Sequence, residues 1–327
     1  MTQVNIYKFF IFFCITMIEI TTKQKLLESI SKCKLREPVE MEMKRIISMC
    51  VSPFKEQLLN SLGYNVPATL EYNKRFRPYL IELSSQAAWL ELDDAFVKTA
   101  TWVEMKHQAS LIIDDIQDWW LIRCWKESAW KKYWLNTALD LAYYLAASSE
   151  PSSLAKSYFW TKWCKLHDYL MFKQQCLSNM VCWQELDLIA NKWWKTIEDY
   201  FNIVDWKTWS LINIALHSWS MPYQDLYTEE KSQALTNFSM LLARLYQIKD
   251  DIDDINKNKE LDPSNIYYYV DQNSEKLNSL CKNLLKQLFI AHDKLKELKI
   301  VKYDYLLDLA EVLLPEEEFK FNINKIE

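Results

Sequence analysis

Glycine is almost missing. The 327 residues contain one, Gly63, where ordinary usage would supply roughly 23. Paired cysteines of the C-x-x-C type are missing too. The eight cysteines are scattered, which fits reduced thiols of a cytoplasmic protein rather than a disulfide framework. Positive charge is not in excess: 39 Lys and Arg against 44 Asp and Glu leave a net charge of −5. No basic field therefore exists to hold a phosphate backbone, and nucleic acid is not an expected partner. After the first twenty residues no run is long and apolar enough to span a bilayer. Alternating strand patterns are nearly absent. What is abundant is tryptophan, with 15 copies. Glycine and tryptophan together approach the usual glycine count of a helical protein.

Half the residues are hydrophobic and a quarter are charged, a globular composition. An apolar run from Phe9 to Ile18 follows Lys8. It is too short to cross a membrane and precedes no small-residue cleavage site. A weak signal sequence, a peripheral membrane anchor and an upstream misplaced start codon all stay open for it. Residues 1–22 are therefore set apart as an N-terminal extension, and residues 23–327 read as one helical domain. Neither proline nor glycine interrupts Pro78 to Pro151 or Pro151 to Pro222, which favours long helices. Leu242, Leu245, Ile248 and Ile252 recur at helical spacing, as do Leu280, Leu284, Leu285 and Leu288. The expected fold is all-α, one compact bundle.

Two acidic segments stand out: Asp114, Asp115 and Asp118, and again Asp250, Asp251 and Asp254. Each set falls at i, i+1 and i+4, so the first and third carboxylates share a helix face. One such run alone reads as a solvated face. Two copies with identical spacing, each behind apolar sequence, point instead to a hard cation such as Mg²⁺, which takes carboxylate and phosphate oxygens together. Cations suited to an anionic substrate lie nearby. Lys74, Arg75 and Arg77 cluster before the first long helix, Arg123 follows Asp118, and Lys207 precedes Thr208. His107 stands two helical turns before Asp114, although alone it would read as a satisfied core histidine.

These residues fall into a familiar order. Tyr72-Asn73-Lys74-Arg75-Phe76-Arg77-Pro78 stands for G-G-K-R-x-R-P. Glu104, His107, Ser110, Leu111, Asp114, Asp115 and Asp118 make E-x-x-H-x-x-S-L-x-x-D-D-x-x-D. Trp183-Gln184-Glu185-Leu186-Asp187-Leu188 matches G-Q-x-L-D-L, and Lys207-Thr208-Trp209 matches K-T-G. Tyr246 and Gln247 open the second aspartate motif as F-Q does. From about residue 40 to about 270 the chain resembles trans-type isoprenyl (polyprenyl) diphosphate synthases. The resemblance implies the isoprenoid synthase bundle with a central cavity, across which the two aspartate clusters face each other. It also implies a homodimer and two substrates, isopentenyl diphosphate and an allylic diphosphate. Three Mg²⁺ ions would bridge the six aspartates to the allylic diphosphate and draw off its charge, so that the carbon–oxygen bond ionises. Lys74, Arg77 and His107 would hold isopentenyl diphosphate, Arg123 and Lys207 the allylic diphosphate, with Gln184 a further substrate contact. Thr208 and Gln247 would face the cation.

The pattern has departures. R-R-G-x-P reads Arg123-Cys124-Trp125-Lys126-Glu127, G-D falls at Ala142-Tyr143, and the loop after the second motif has no G-K-x-T. These losses keep two other readings open, a non-catalytic or regulatory subunit of a prenyl synthase and a class I terpene cyclase. Retention of all six aspartates opposes the former, and the form of the second motif opposes the latter. Trp125, Trp134, Trp183 and Trp209 stand where the family pattern has glycine. A reassigned TGA codon, read as glycine in the cell, would account for both the missing glycine and the surplus tryptophan. A Trp-rich, degenerate synthase is the alternative. Above Asp114, Ala109 and Ser110 are small, and the motif has a two-residue spacer. Both suggest a product of twenty carbons or more, such as geranylgeranyl diphosphate. An indole at 102, beyond Met105, would close that path.

Overall fold

The long proline-free stretches fold as helices, and among the described residues strands are limited to one two-residue hairpin. The structure is a computed structural model and describes residues 28, 30–65, 75–87, 90–124, 126–148, 163–190, 196–218, 228–257, 265–271 and 273–298. The apolar run before residue 20 and Lys74 lie outside these. In chain order the elements are α1 (Arg36–Ser48), α2 (Phe54–Ser61), α3 (Phe76–Ala87), α4 (Asp94–Gln117), β1 (Ile122–Arg123), β2 (Lys126–Glu127) and α5 (Ala129–Ala147). There follow α6 (Trp163–Ala190), α7 (Ile197–Lys207), α8 (Trp209–His217), α9 (Glu229–Lys257), α10 (Ile266–Tyr269) and α11 (Ser274–Glu297). No described helix is long and apolar enough to cross a membrane.

The chain divides into two compact units. One comprises residues 30–178 and 211–228, the other residues 1–29, 179–210 and 229–327. In the first unit α4 packs against α5, α1 and α3. Asp93 starts α4 by accepting the amides of Ala95 and Phe96 at 2.9 and 3.2 Å, which satisfies donors that a helix start leaves open. From Ala95 to Lys106 its buried residues include Phe96, Thr101, Val103 and Glu104, too many neighbouring positions for a single apolar stripe. It is a core helix.

In the second unit α9 packs on α11 and α7. Leu242, Leu245 and Ile248 of α9 and Leu284, Leu285 and Leu288 of α11 are buried, as their spacing requires, while Ile252 and Leu280 are half-buried. Thr196 and Asp199 cap α7 reciprocally: each side chain accepts the other's backbone N–H, at 3.2 and 3.0 Å.

Candidate active site

The first aspartate motif occupies the end of α4. Asp114 is half-buried, Asp115 buried and Asp118 exposed. Arg123, on β1, donates from Nε to Asp115 Oδ1 at 2.6 Å. Burial raises the pKa of Asp115, Arg123 opposes that rise, and Asp114 and Asp118 add to it, so the three carboxylates feel one another. The helix then stops in a Schellman turn. The amide of Trp120 donates to Asp115 O at 3.0 Å and that of Trp119 to Ile116 O at 3.4 Å, with Trp119 at φ 56°.

Further back on α4, His107 is held neutral. Burial pushes its pKa well down, and the guanidinium groups of Arg77, Arg75 and Arg123 push the same way. Arg77 and Arg123 thus lie near His107, and Arg123 also reaches Asp115 of the first motif. A neutral His107 can donate a hydrogen bond to a diphosphate oxygen but brings no charge. Arg75 is turned inward instead, fully buried between Glu40 and Glu104, at 2.5 and 2.7 Å. The first arginine of the basic run thus holds the fold, and Glu104 and Glu40 are its counter-charges. Trp102 is buried, and the Lys173 ammonium lies 3.6 Å from its ring centroid, so an indole fills this position on the face above Ala109.

In the second unit the second motif is joined to two other candidates. Thr208 donates from Oγ1 to Gln247 Oε1 at 2.9 Å, and Gln247 Nε2 donates to Asp251 Oδ1 at 2.8 Å. Asp251 Oδ2 accepts from the Tyr200 hydroxyl and the Ile266 amide, both at 2.8 Å. Burial raises the Asp251 carboxyl to about 6, against the pull of these donors. Sequence spacing did not single out Tyr200 or Ile266, since both come from elements remote in sequence. Asp250 and Lys207 are half-buried, as is Gln184 on α6. Asp254 lies on α9, but its side chain is outside the described residues.

In each unit taken separately, the donors suit a hard divalent cation. Asp251 Oδ1 accepts one hydrogen bond and keeps a second lone-pair direction, and Asp114 and Asp118 offer carboxylates one turn apart. Among the described residues no three His, Cys, Asp or Glu side chains already form a closed metal site. An Mg²⁺ ion that takes diphosphate and water oxygens needs only one or two carboxylates.

Comparison with known proteins narrows the reading. No curated protein matches the chain. Among solved structures it is similar to a geranyltransferase from Legionella pneumophila, 21% identical, TM-score 0.68, covering 90% of this chain and 96% of that one. It is likewise similar to a geranyltransferase from Helicobacter pylori, 19% identical, TM-score 0.65, with 86% and 99% covered. A geranylgeranyl pyrophosphate synthetase from the archaeon Geoglobus acetivorans is 18% identical, TM-score 0.64, with 84% and 96% covered. Those likenesses carry the fold, which is the all-α fold of isoprenoid synthases. The family model described as polyprenyl synthetase matches residues 56–267, a span that holds every motif quoted above. With the two aspartate motifs, the basic residues and the fold in agreement, the chain belongs to the polyprenyl synthetase family and is a prenyl diphosphate synthase.

Proposed function

We propose that this synthase joins an allylic diphosphate to isopentenyl diphosphate and makes a trans-prenyl diphosphate of twenty carbons or more. The observation that carries the reading is Arg123, which donates to Asp115 beside Asp114 and Asp118 and lies, with Arg77, near His107. Cations for diphosphate oxygens and carboxylates for a metal stand together there. Asp114, Asp115, Asp118, Asp250, Asp251 and Asp254 would hold Mg²⁺, which when bound neutralises diphosphate charge.

The chain's own groups do the rest. Arg77 and neutral His107, with Lys74, hold isopentenyl diphosphate. Arg123 shares its guanidinium between Asp115 and the allylic diphosphate, and Lys207 takes other oxygens of that group. The allylic carbon–oxygen bond then breaks, with its electron pair leaving on the diphosphate. Thr208 directs its hydroxyl hydrogen to Gln247 Oε1, so its oxygen presents lone pairs elsewhere, which suits it to face the allylic cation. The isopentenyl double bond attacks that cation, and the released diphosphate removes the final proton. Water must be excluded throughout, because it would quench the cation.

With glycine rather than the buried indole at 102, small residues support the product length: Ala109 is buried, and Ser110 folds its hydroxyl back onto His107 O at 2.8 Å. Incubation with Mg²⁺, farnesyl diphosphate and labelled isopentenyl diphosphate tests the proposal, using protein that carries glycine at the four family-glycine positions and at 102. Extension of farnesyl diphosphate is expected. If only shorter allylic primers are extended, a residue other than 109 and 110 sets the floor and the product is shorter.

A further inference from the structure

Two helices in this protein end in the same way, with different residues. Helix α2 closes with the Gly63 amide donating to Asn60 O at 3.0 Å and the Tyr64 amide to Leu59 O at 2.9 Å. Gly63 sits there at φ 80°. Helix α4 closes with the same pair of bonds, but the residue in the Gly63 position is Trp119, at φ 56°. This left-handed position in a Schellman turn is the one that glycine ordinarily fills, because a Cβ crowds the neighbouring carbonyl. The only glycine in the sequence thus does the task that a tryptophan performs at the next equivalent turn.

Trp134 makes the stronger case. It interrupts α5 with φ 69° and ψ 159°, in a region of backbone space that is essentially reserved for glycine. Such a conformation persists in a larger residue only when its surroundings force it. Among the described residues no hydrogen bond or ring contact of the Trp134 side chain forces it, and the residue is 83% exposed. Trp119 is 70% exposed and has an edge-on contact with Trp130, ring centroids 5.4 Å apart.

Not every tryptophan shows this. Trp209 has an ordinary φ, donates from Nε1 to Ser239 Oγ at 2.7 Å and packs edge-on against Trp206. Its local geometry makes no demand for glycine. The backbone singles out positions 119 and 134, and the composition explains them: one glycine and 15 tryptophans in 327 residues.

We propose that residues 119 and 134 are glycine in the protein its source cell makes, their TGA codons being decoded by a glycine-charged tRNA. The proposal concerns which side chains exist and does not depend on the reaction. Its test is equally independent of activity. The gene is read at both codons, and the protein is isolated from its own cells, digested with trypsin and sequenced by mass spectrometry. The peptide His107–Arg123 reports on position 119, and the peptide that begins at Tyr133 reports on position 134. TGA at both codons and glycine in both peptides are the expected result. TGG at either codon, or any residue other than glycine at either position, overturns the proposal. Tryptophan at a TGA codon would be such a result, and only the peptides reveal it.

Discussion

Arg75 shows what one buried charge demands. Its side chain has no exposure to solvent and rests on Glu104 and Glu40. Removing Glu104, its buried partner, would leave the interior cation with the more exposed Glu40 alone. Glu104→Ala is expected to destabilise the protein by about 3–5 kcal/mol, read as a lower urea midpoint, whereas Glu104→Gln keeps an oxygen for Arg75 and should lose less. Trp134 gives the opposite sign. With an exposed ring and a glycine-only backbone, Trp134→Gly in recombinant protein is expected to stabilise by about 1 kcal/mol. Relieved strain is offset in part by the greater freedom of glycine in the unfolded chain. Thermal denaturation of the two proteins side by side measures it, and a lower midpoint for the variant would refute the strain at 134.

At the scale of elements, the second aspartate motif depends on helices meeting side by side. Thr208 follows α7, Gln247 and Asp251 lie on α9, and Ile266 begins α10. Gln247→Ala removes the middle link. The expected effect is a fall in kcat of about 10–100-fold with an unchanged circular dichroism spectrum; loss of the helical signal instead would make Gln247 a folding residue. The cap on α7 has a purely structural forecast: Thr196→Ala should cost about 1 kcal/mol and leave KM unaltered. Spacing in the sequence was enough to find α9 and α11, because leucines at three and four apart have one buried face to serve, while α4 followed from a stretch without proline or glycine. It was enough, too, for both aspartate motifs. It could not reveal that Tyr200 binds Asp251 or that Arg75 faces Glu104 rather than substrate. Those pairs join residues far apart in sequence, and periodicity records only a residue's own face.

Across the whole molecule, acid is expected to weaken the fold through His217. Buried against Phe172 with ring centroids 5.4 Å apart, its imidazole is driven down to about 3 from 6.5 by burial. The unfolded chain therefore binds this proton more readily. Stability from this residue is complete above pH 6.5 and is lost as pH falls from 6.5 toward 3, amounting to about 2 kcal/mol by pH 5. Urea titrations of the parent and of His217→Leu across that window should differ in slope, the variant being flatter; parallel curves would refute the assignment. Divalent cations are expected to act on turnover rather than on folding. Chelation with EDTA is expected to stop isopentenyl incorporation while leaving the helical signal intact, and Mg²⁺ should restore it.

Helix α4 is enclosed where it begins and loosens where it ends: Thr99 to Lys106 are all buried, while Ile113, Asp114, Ile116 and Gln117 are half-buried. Its amide protons should record that gradient. Those of the enclosed stretch should exchange with deuterium only when the entire unit opens, and those of the last turn far sooner. The carboxylates of the first motif thus ride on the looser end of a clamped rod, which would let Asp114 and Asp118 shift by small amounts while the base of the rod keeps its place.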